Sequence, residues 1–307
     1  MTAADLPTHD RLPDGTPQEE LLGALRRLAA RDGVLLALDF DGCLAPFVVD
    51  PEDARPLAAA SDALERLARL PGTAIALVSG RPLETLRRLA TPPPQALLVG
   101  SHGAEFAGPD GAPPAPGSLG GAPDDRTNDD GTNDDGTNDG TPDGPARALL
   151  ARLEAAVTQI VAAHAGTALE RKPTAAVLHT RGADRATAAA ATSAALAGPA
   201  TWAGVRAMRG KEVVELSVSD ATKGAALRRL RAATGTAPGP GGVLYAGDDV
   251  TDETAFAVLD DDAGDVTVKV GPGETGARHR VPDPQAVARL LQELAALREL
   301  AFRGAGG

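Results

Sequence analysis

The 307-residue chain is long enough for one large domain or two modest ones. Hydrophobic residues make up 43% but aromatics only 2%, so the core must be aliphatic, and the composition argues against a stacking platform for nucleic-acid bases. A net charge of −12 argues against a nucleic-acid partner, and a single cysteine excludes internal disulfides and cysteine-rich zinc sites.

The acidity is local. Nine Asp and one Arg lie between residues 108 and 144, which leaves a net charge of only −4 elsewhere. No apolar run approaches the ~18–20 residues of a membrane span. The opening MTAADLPTHD has no basic stretch followed by an apolar one. These features predict a soluble cytoplasmic protein with no membrane partner. Only four of the 30 basic residues are lysines, at 172, 211, 223 and 269. In so Arg-rich a chain, a lysine can mark a place that needs a compact ammonium. Lys269, inside a predicted strand, is read as chance.

Residues 1–17 read as a loose tail. Leu21, Leu22, Leu25 and Leu28 are spaced for a helix over 18–31. Short apolar runs at 34–38, 74–78 and 97–99 alternate with helical patterns at 57–70 and 83–90. That order predicts a parallel sheet with helices on its faces. The pattern stops at 108–145, where TNDDG occurs twice and then shortens to TNDG. Such a segment cannot bury enough apolar surface to offset its ordering entropy, so a disordered insert is expected. Calcium-loop spacing and a closing Glu are both missing. Order resumes with a helix at 148–163, strands at 167–171 and 175–180, a helix at 183–197, and strands at 201–208 and 212–216. This αββαββ unit, 146–216, reads as a small α+β domain. The first pattern then returns: helix 222–233, strand 243–246, helix 252–259, strand 266–270 and helix 284–300. The fold class is therefore α/β, with a parallel-sheet core at 18–107 and 217–307 interrupted by the smaller domain.

Four core strands run into polar residues: Asp39 and Asp41; Ser79, Gly80 and Arg81; Gly100, Ser101 and His102; Gly247, Asp248 and Asp249. In open parallel sheets, ligands bind at the carboxyl ends of strands. With Asp252 these carboxylates would lie close together. Two charges 4 Å apart repel by about 1–4 kcal/mol, depending on the effective dielectric. A cation relieves that repulsion, and all-oxygen ligands suit Mg²⁺. Lys223 opens a helix, so its ammonium and the helix N-terminus could face one anion, with Ser79 adding a hydroxyl.

DFDGCLAPF (39–47), SGR (79–81), Lys223 and GDDVTDE (247–253) resemble, in order and spacing, the four motifs of haloacid-dehalogenase (HAD)-like phosphatases. The resemblance implies a HAD-like Rossmannoid core, with the small domain inserted as a cap between the second and third motifs. GSHG (100–103), LERKPTAAVLHTR (169–181), RGKEVVEL (209–216) and GDDVTDETAF (247–256) are further similar to the trehalose-6-phosphate phosphatase family. The chain departs from the family's pattern at Cys43, where Thr is usual, and in the 108–145 insert.

The resemblance implies an Mg²⁺-dependent phosphatase acting on trehalose 6-phosphate in trehalose biosynthesis. Asp39 would be the nucleophile and Asp41 the general acid and then base. Ser79 and Lys223 would hold the phosphoryl oxygens. The metal set would be Asp39, the Asp41 backbone carbonyl and Asp248, with Asp249 and Asp252 at or just behind it. Glu170, Lys172, Arg181, Lys211 and Glu215 match the sugar-binding positions. Gly80, Arg81 and His102 would border the substrate, although Arg81 more readily orders its loop or meets an Asp. His179 and Trp202 read as packing residues, and the cap is expected to close over the site. A monomer is expected, and a trehalose-phosphate synthase of the same pathway is a candidate partner. Alternatives are a capped phosphatase for another sugar phosphate, a phosphotransferase or mutase, and a non-catalytic sugar-phosphate-binding domain. The last would be expected to lack Asp39, Asp41 or Lys223, all present here.

Overall fold

Five consecutive apolar residues, Val34–Leu38, form strand β1, and every one is buried. An unbroken apolar strand fits a parallel sheet covered on both faces. The computed structural model of the chain describes residues 19–109, 144–234 and 241–304. The tail expected at 1–17 and nearly all of the insert expected at 108–145 lie outside those residues.

The described chain divides into two compact units, one built from residues before 110 and from Thr222 onward, the other ending at Ala221. In the first unit α1 (Glu19–Ala29) precedes β1. Then come α2 (Ala58–Ala68), β2 (Thr73–Val78), α3 (Leu83–Ala90), β3 (Leu97–Gly100) and β4 (Glu105–Ala107). The second unit holds α4 (Gly144–Ala163), β5 (Ala168–Lys172), β6 (Ala175–His179), α5 (Arg185–Ala197), β7 (Arg206–Gly210) and β8 (Val213–Ser217). The first unit resumes with α6 (Lys223–Ala233), β9 (Gly242–Gly247), α7 (Glu253–Phe256), β10 (Val266–Val270), β11 (His279–Val281) and α8 (Pro284–Gly304).

The sheet of the first unit has the order β11-β10-β9-β1-β2-β3-β4, parallel throughout except for β4. Side chains alternate across it. Val34, Leu36 and Leu38 join Leu25, Leu28, Leu64, Leu67 and Leu291 on one face. Leu35 and Ala37 join Leu227, Leu230, Tyr245 and Phe256 on the other. Burying one such leucine contributes about 1.5–3 kcal/mol, so aliphatic packing carries this fold in place of aromatic bulk.

The second unit has an antiparallel sheet in the order β5-β6-β8-β7. Ala176, Leu178, Val214 and Leu216 pack with Leu153, Val157, Ala191 and Ala195 of α4 and α5. The opposite face therefore carries Glu170, Lys172, His179 and Glu215.

Four elements differ from expectation. The strand expected at 201–208 is β7 at Arg206–Gly210, because Pro199 starts a 3₁₀ turn over Pro199–Thr201 and pairing with β8 sets the strand's bounds. The helix expected at 252–259 is only Glu253–Phe256, preceded by a 3₁₀ turn at Val250–Asp252. Strands β4 and β11 have no counterpart among the expected elements, since three residues at a sheet edge are too few to show a period.

Candidate active site

Asp39 is the first residue past β1, and its N–H donates to the Ala246 carbonyl of β9 at 2.9 Å. The register of β1 between β2 and β9 brings the ends of all three strands side by side. The chain then turns tightly, with the Leu44 and Ala45 N–H groups both donating to the Phe40 carbonyl. Gly42 sits in that turn at φ 71°, and a Cβ there would fall 2.4 Å from the Asp248 carboxylate and 2.7 Å from the Phe47 ring. Gly247 is needed for a similar reason: its Cβ would lie 2.2 Å from the Asp252 carboxylate.

Lys223 is the first residue of α6, which Thr222 caps by accepting from the Ala225 N–H at 3.0 Å. Its ammonium is buried, 2.9 Å from Asp39 Oδ2 and 2.8 Å from Asp252 Oδ1. Asp252 Oδ1 also accepts from the Tyr245 hydroxyl at 2.7 Å, and Oδ2 accepts from the Asp249 N–H at 2.9 Å. Asp252 thus ties together β9, the start of α6 and the turn after Asp248.

Oxygens of Asp39, Asp248 and Asp252 lie within 4.8 Å of one another. Burial pushes the Asp39 carboxyl well above its ordinary range; Lys223 opposes the rise, while the Asp252 and Asp248 charges add to it. Burial and the Asp252 charge push Asp248 up to about 6. Against the cost of its own burial, Asp252 is held below the usual value by Lys223 and its hydrogen bonds. Burial favours the neutral amine of Lys223, but Asp39 and Asp252 outweigh it and raise the pKa. Three carboxylates thus crowd one spot with an excess of negative charge. An oxygen-only donor set of this kind fits a hard divalent cation, which would restore the ionised forms.

The other expected residues take different places. Asp41 is gripped by the Arg81 guanidinium, Nε to Oδ2 at 2.6 Å and a terminal nitrogen to Oδ1 at 2.7 Å. Arg81 also lies over the Phe40 ring, 5.4 Å from its centre. The Asp41 carboxylate is outside the three-carboxylate cluster, and so is that of Asp249, which is exposed and caps the 3₁₀ turn. Ser79 is buried just past β2, and its Oγ accepts from the Arg81 N–H at 3.1 Å. The Ser79 carbonyl in turn accepts from the His102 N–H, so the SGR and GSHG loops interlock. His102 has φ 57°, and its ring fills the place a Gly80 side chain would take, 2.4 Å from the hypothetical Cβ. Cys43 is buried, with its Sγ 3.5 Å from the Ala246 carbonyl.

On the second unit, Lys172 Nζ donates to Glu215 Oε2 at 2.6 Å, from β5 to β8. Glu170 meets His179 Nε2 at 2.7 Å, so His179 is a polar surface group rather than packing. Arg181 lies in the turn after β6, 3.2 Å from Glu212. Lys211 stands in the turn between β7 and β8 rather than on a strand, so its even spacing from Glu215 does not put both on one sheet face. Trp202 packs against the unit's core under the Arg152 guanidinium, 3.8 Å from the ring centre.

Sequence reasoning misses two residues. Tyr245 is the chain's only tyrosine, in a fully buried strand where a phenol must find a partner, and that is a usable signal. Lys269 is no chance lysine: it is buried in β10 and donates to the Asp248 main-chain carbonyl.

Comparison with known proteins bears on these motifs. The Trehalose-phosphatase family model matches residues 37–283. The bifunctional trehalose-6-phosphate synthase/phosphatase of Thermoproteus tenax is 33% identical over 263 residues, 85% of this chain but 32% of that protein. The trehalose-phosphate phosphatase of Mycobacterium avium is 31% identical over 298 residues, 93% of this chain and 67% of that protein. This chain therefore spans about a third of the first relative and two thirds of the second. Among solved structures, the C-terminal domain of C. albicans trehalose-6-phosphate phosphatase shares the fold. Its TM-score is 0.68 at 22% identity, over 92% of this chain and 98% of that one. The chain belongs to the trehalose-phosphatase family.

Proposed function

We propose that this protein hydrolyses trehalose 6-phosphate to trehalose and inorganic phosphate through a phosphoryl group carried on Asp39. The observation that carries this reading is the buried Asp39–Lys223–Asp252 contact beside Asp248, at the carboxyl ends of β1 and β9. In the first step an Asp39 oxygen attacks phosphorus and the bond to the sugar oxygen breaks. Asp41 gives that oxygen a proton, so trehalose leaves as an alcohol. In the second step water attacks the same phosphorus, Asp41 takes the water's proton, and phosphate leaves with Asp39 regenerated. The Arg81 fork aims Asp41 at one place for both transfers. Ser79 and Lys223 hold the phosphoryl oxygens as charge builds on them.

Asp39, Asp248 and the Asp41 main-chain carbonyl would hold Mg²⁺, with Asp252 and Asp249 bracing the loop behind. When bound, the ion supplies positive charge that screens the phosphate from the Asp39 carboxylate.

The sugar hydroxyls are assigned to the polar face and turns of the second unit, where Glu170, Lys172 and Glu215 share one sheet face and Arg181 and Lys211 lie in adjacent turns. Charged side chains form the stronger hydrogen bonds that polyol recognition uses. An enzyme that makes trehalose 6-phosphate must act upstream. The Thermoproteus tenax relative is named for both activities, which supports a synthase as pathway partner. Among the described residues no helix is long and apolar enough to cross a membrane.

Phosphate release from trehalose 6-phosphate and a panel of other sugar phosphates, with and without Mg²⁺, tests the reading. Selective, Mg²⁺-dependent release from trehalose 6-phosphate is expected. Release from another sugar phosphate alone overturns the assignment of the sugar. Phosphate passed to a second sugar makes the protein a phosphotransferase. No release from any substrate overturns the enzyme reading.

A further inference from the structure

Lys269 occupies an unusual place for a lysine. It sits one residue from the end of β10, between Val268 and Val270, and is 4% exposed. The parallel register sets it beside Gly247, the last residue of β9. From there its ammonium reaches one residue further and donates to the Asp248 main-chain carbonyl. Burying an ammonium is costly unless it is hydrogen-bonded, so this placement needs a return. Nothing in the proposed phosphoryl transfer uses Lys269.

What Lys269 fixes is the peptide just past β9. Asp248 is the first residue past that strand, and its carboxylate turns toward Asp39 across Gly42. The Asp252 carboxylate holds the far side of the turn through the Asp249 N–H. Lys269 holds the near side through the Asp248 carbonyl. The two anchors hold the backbone on either side of the Asp248 side chain.

We propose that Lys269 is a positioning residue for divalent-cation binding: by holding the Asp248 carbonyl, it keeps the Asp248 carboxylate aimed at Asp39. The proposal rests on the reading of Asp39 and Asp248 as metal ligands. The proposed phosphoryl transfer gives Lys269 no direct role, so its effect on turnover runs through Asp248. A mere counter-charge is the rival role, and it has the opposite sign. Removing a positive charge near the site would then tighten cation binding, whereas removing a positioning contact loosens it.

The test is calorimetric titration of the full-length protein with Mg²⁺ alone, without substrate, on wild type, Lys269→Met and Lys269→Arg. The methionine keeps the length and apolar stem but loses every donor. It should weaken Mg²⁺ binding by about tenfold, the low end of the range for residues that orient metal ligands. Arginine keeps a donor and should restore binding toward wild type. The Mg²⁺ concentration needed to raise the unfolding temperature should shift in the same way. If Lys269→Met does not fold, Lys269→Leu, which also lacks a donor, replaces it, with the same loss expected. Unchanged or tighter binding in the neutral variant overturns the proposal. No binding in wild type overturns the metal reading as well, and that silence separates the two failures.

Discussion

Lys223 and Asp39 lie 2.9 Å apart with almost no exposure to solvent, although they are far apart in the sequence. Desolvating such a pair is costly unless both ends are fully partnered. Here Asp252 supplies the second carboxylate for the ammonium, and the Phe40 N–H satisfies the other Asp39 oxygen at 2.7 Å. Replacing Lys223 by Met leaves two buried carboxylates facing each other. We expect a loss of roughly 3–5 kcal/mol of stability and at least about a 10²-fold fall in turnover. Urea unfolding and phosphate release measure the two effects. A stable variant with wild-type turnover would remove Lys223 from the site.

Asp41 differs from Asp39 in being a partly exposed carboxylate held by a guanidinium fork. If it supplies the leaving group's proton, Asp41→Asn should slow sugar-phosphate hydrolysis by about 10²–10⁴-fold. The first step with p-nitrophenyl phosphate should suffer far less, because nitrophenolate leaves without a proton. The variant should then show a burst of nitrophenol followed by slow turnover. Equal losses on both substrates, with no burst, would argue that Asp41 is not the acid.

Gly42 combines a left-handed φ of 71° with a space already filled by the Asp248 carboxylate and the Phe47 ring. Gly42→Ala should cost at least about 1–2 kcal/mol from backbone strain alone. It should also blunt the rise in unfolding temperature on adding Mg²⁺, since Asp248 must move. Thermal unfolding with and without Mg²⁺ checks both, and an unaltered Mg²⁺ response would show that the turn can relax.

In the second unit, Asp184 caps α5 by accepting from the Ala186 and Thr187 N–H groups at 2.9 and 3.0 Å. Its hydrogen bonds from Thr187 and Ala186 hold the carboxyl below the ordinary 3.8. A lowered acid pKa stabilises the fold above the unfolded value, and that contribution fades as pH falls through the folded one. Wild type should therefore exceed Asp184→Ala in stability at about pH 6, and the gap should narrow below about pH 3.5. A gap that does not change with pH would mean that the charge adds nothing to the cap.

Much of the site is legible because it lies where local sequence rules are strict. Asp39 and Asp248 come just after the short, wholly buried strands β1 and β9, and such strands in a parallel order deliver their last residues to one edge. Glu170 and Lys172 stand two apart on β5, a spacing that puts both on one face. Lys211 escapes the same argument because parity has meaning only inside a strand, and the residue falls in a turn. The apolar strand around His179 suggests packing, yet pleating turns the ring outward toward Glu170.

The sequence by itself determined the alternation of strands and helices, the aliphatic core and the order of the acidic motifs, because those depend on local period and composition. Only the tertiary structure decided which charges meet. That Arg81 grips Asp41, that Tyr245 and Lys223 share one oxygen of Asp252, and that Lys269 holds the Asp248 carbonyl are consequences of strand register and close packing across the sheet. These contacts link residues 7 to 40 positions apart. No local pattern encodes such a pairing; it arises when the sheet closes and buried polar groups must find their partners.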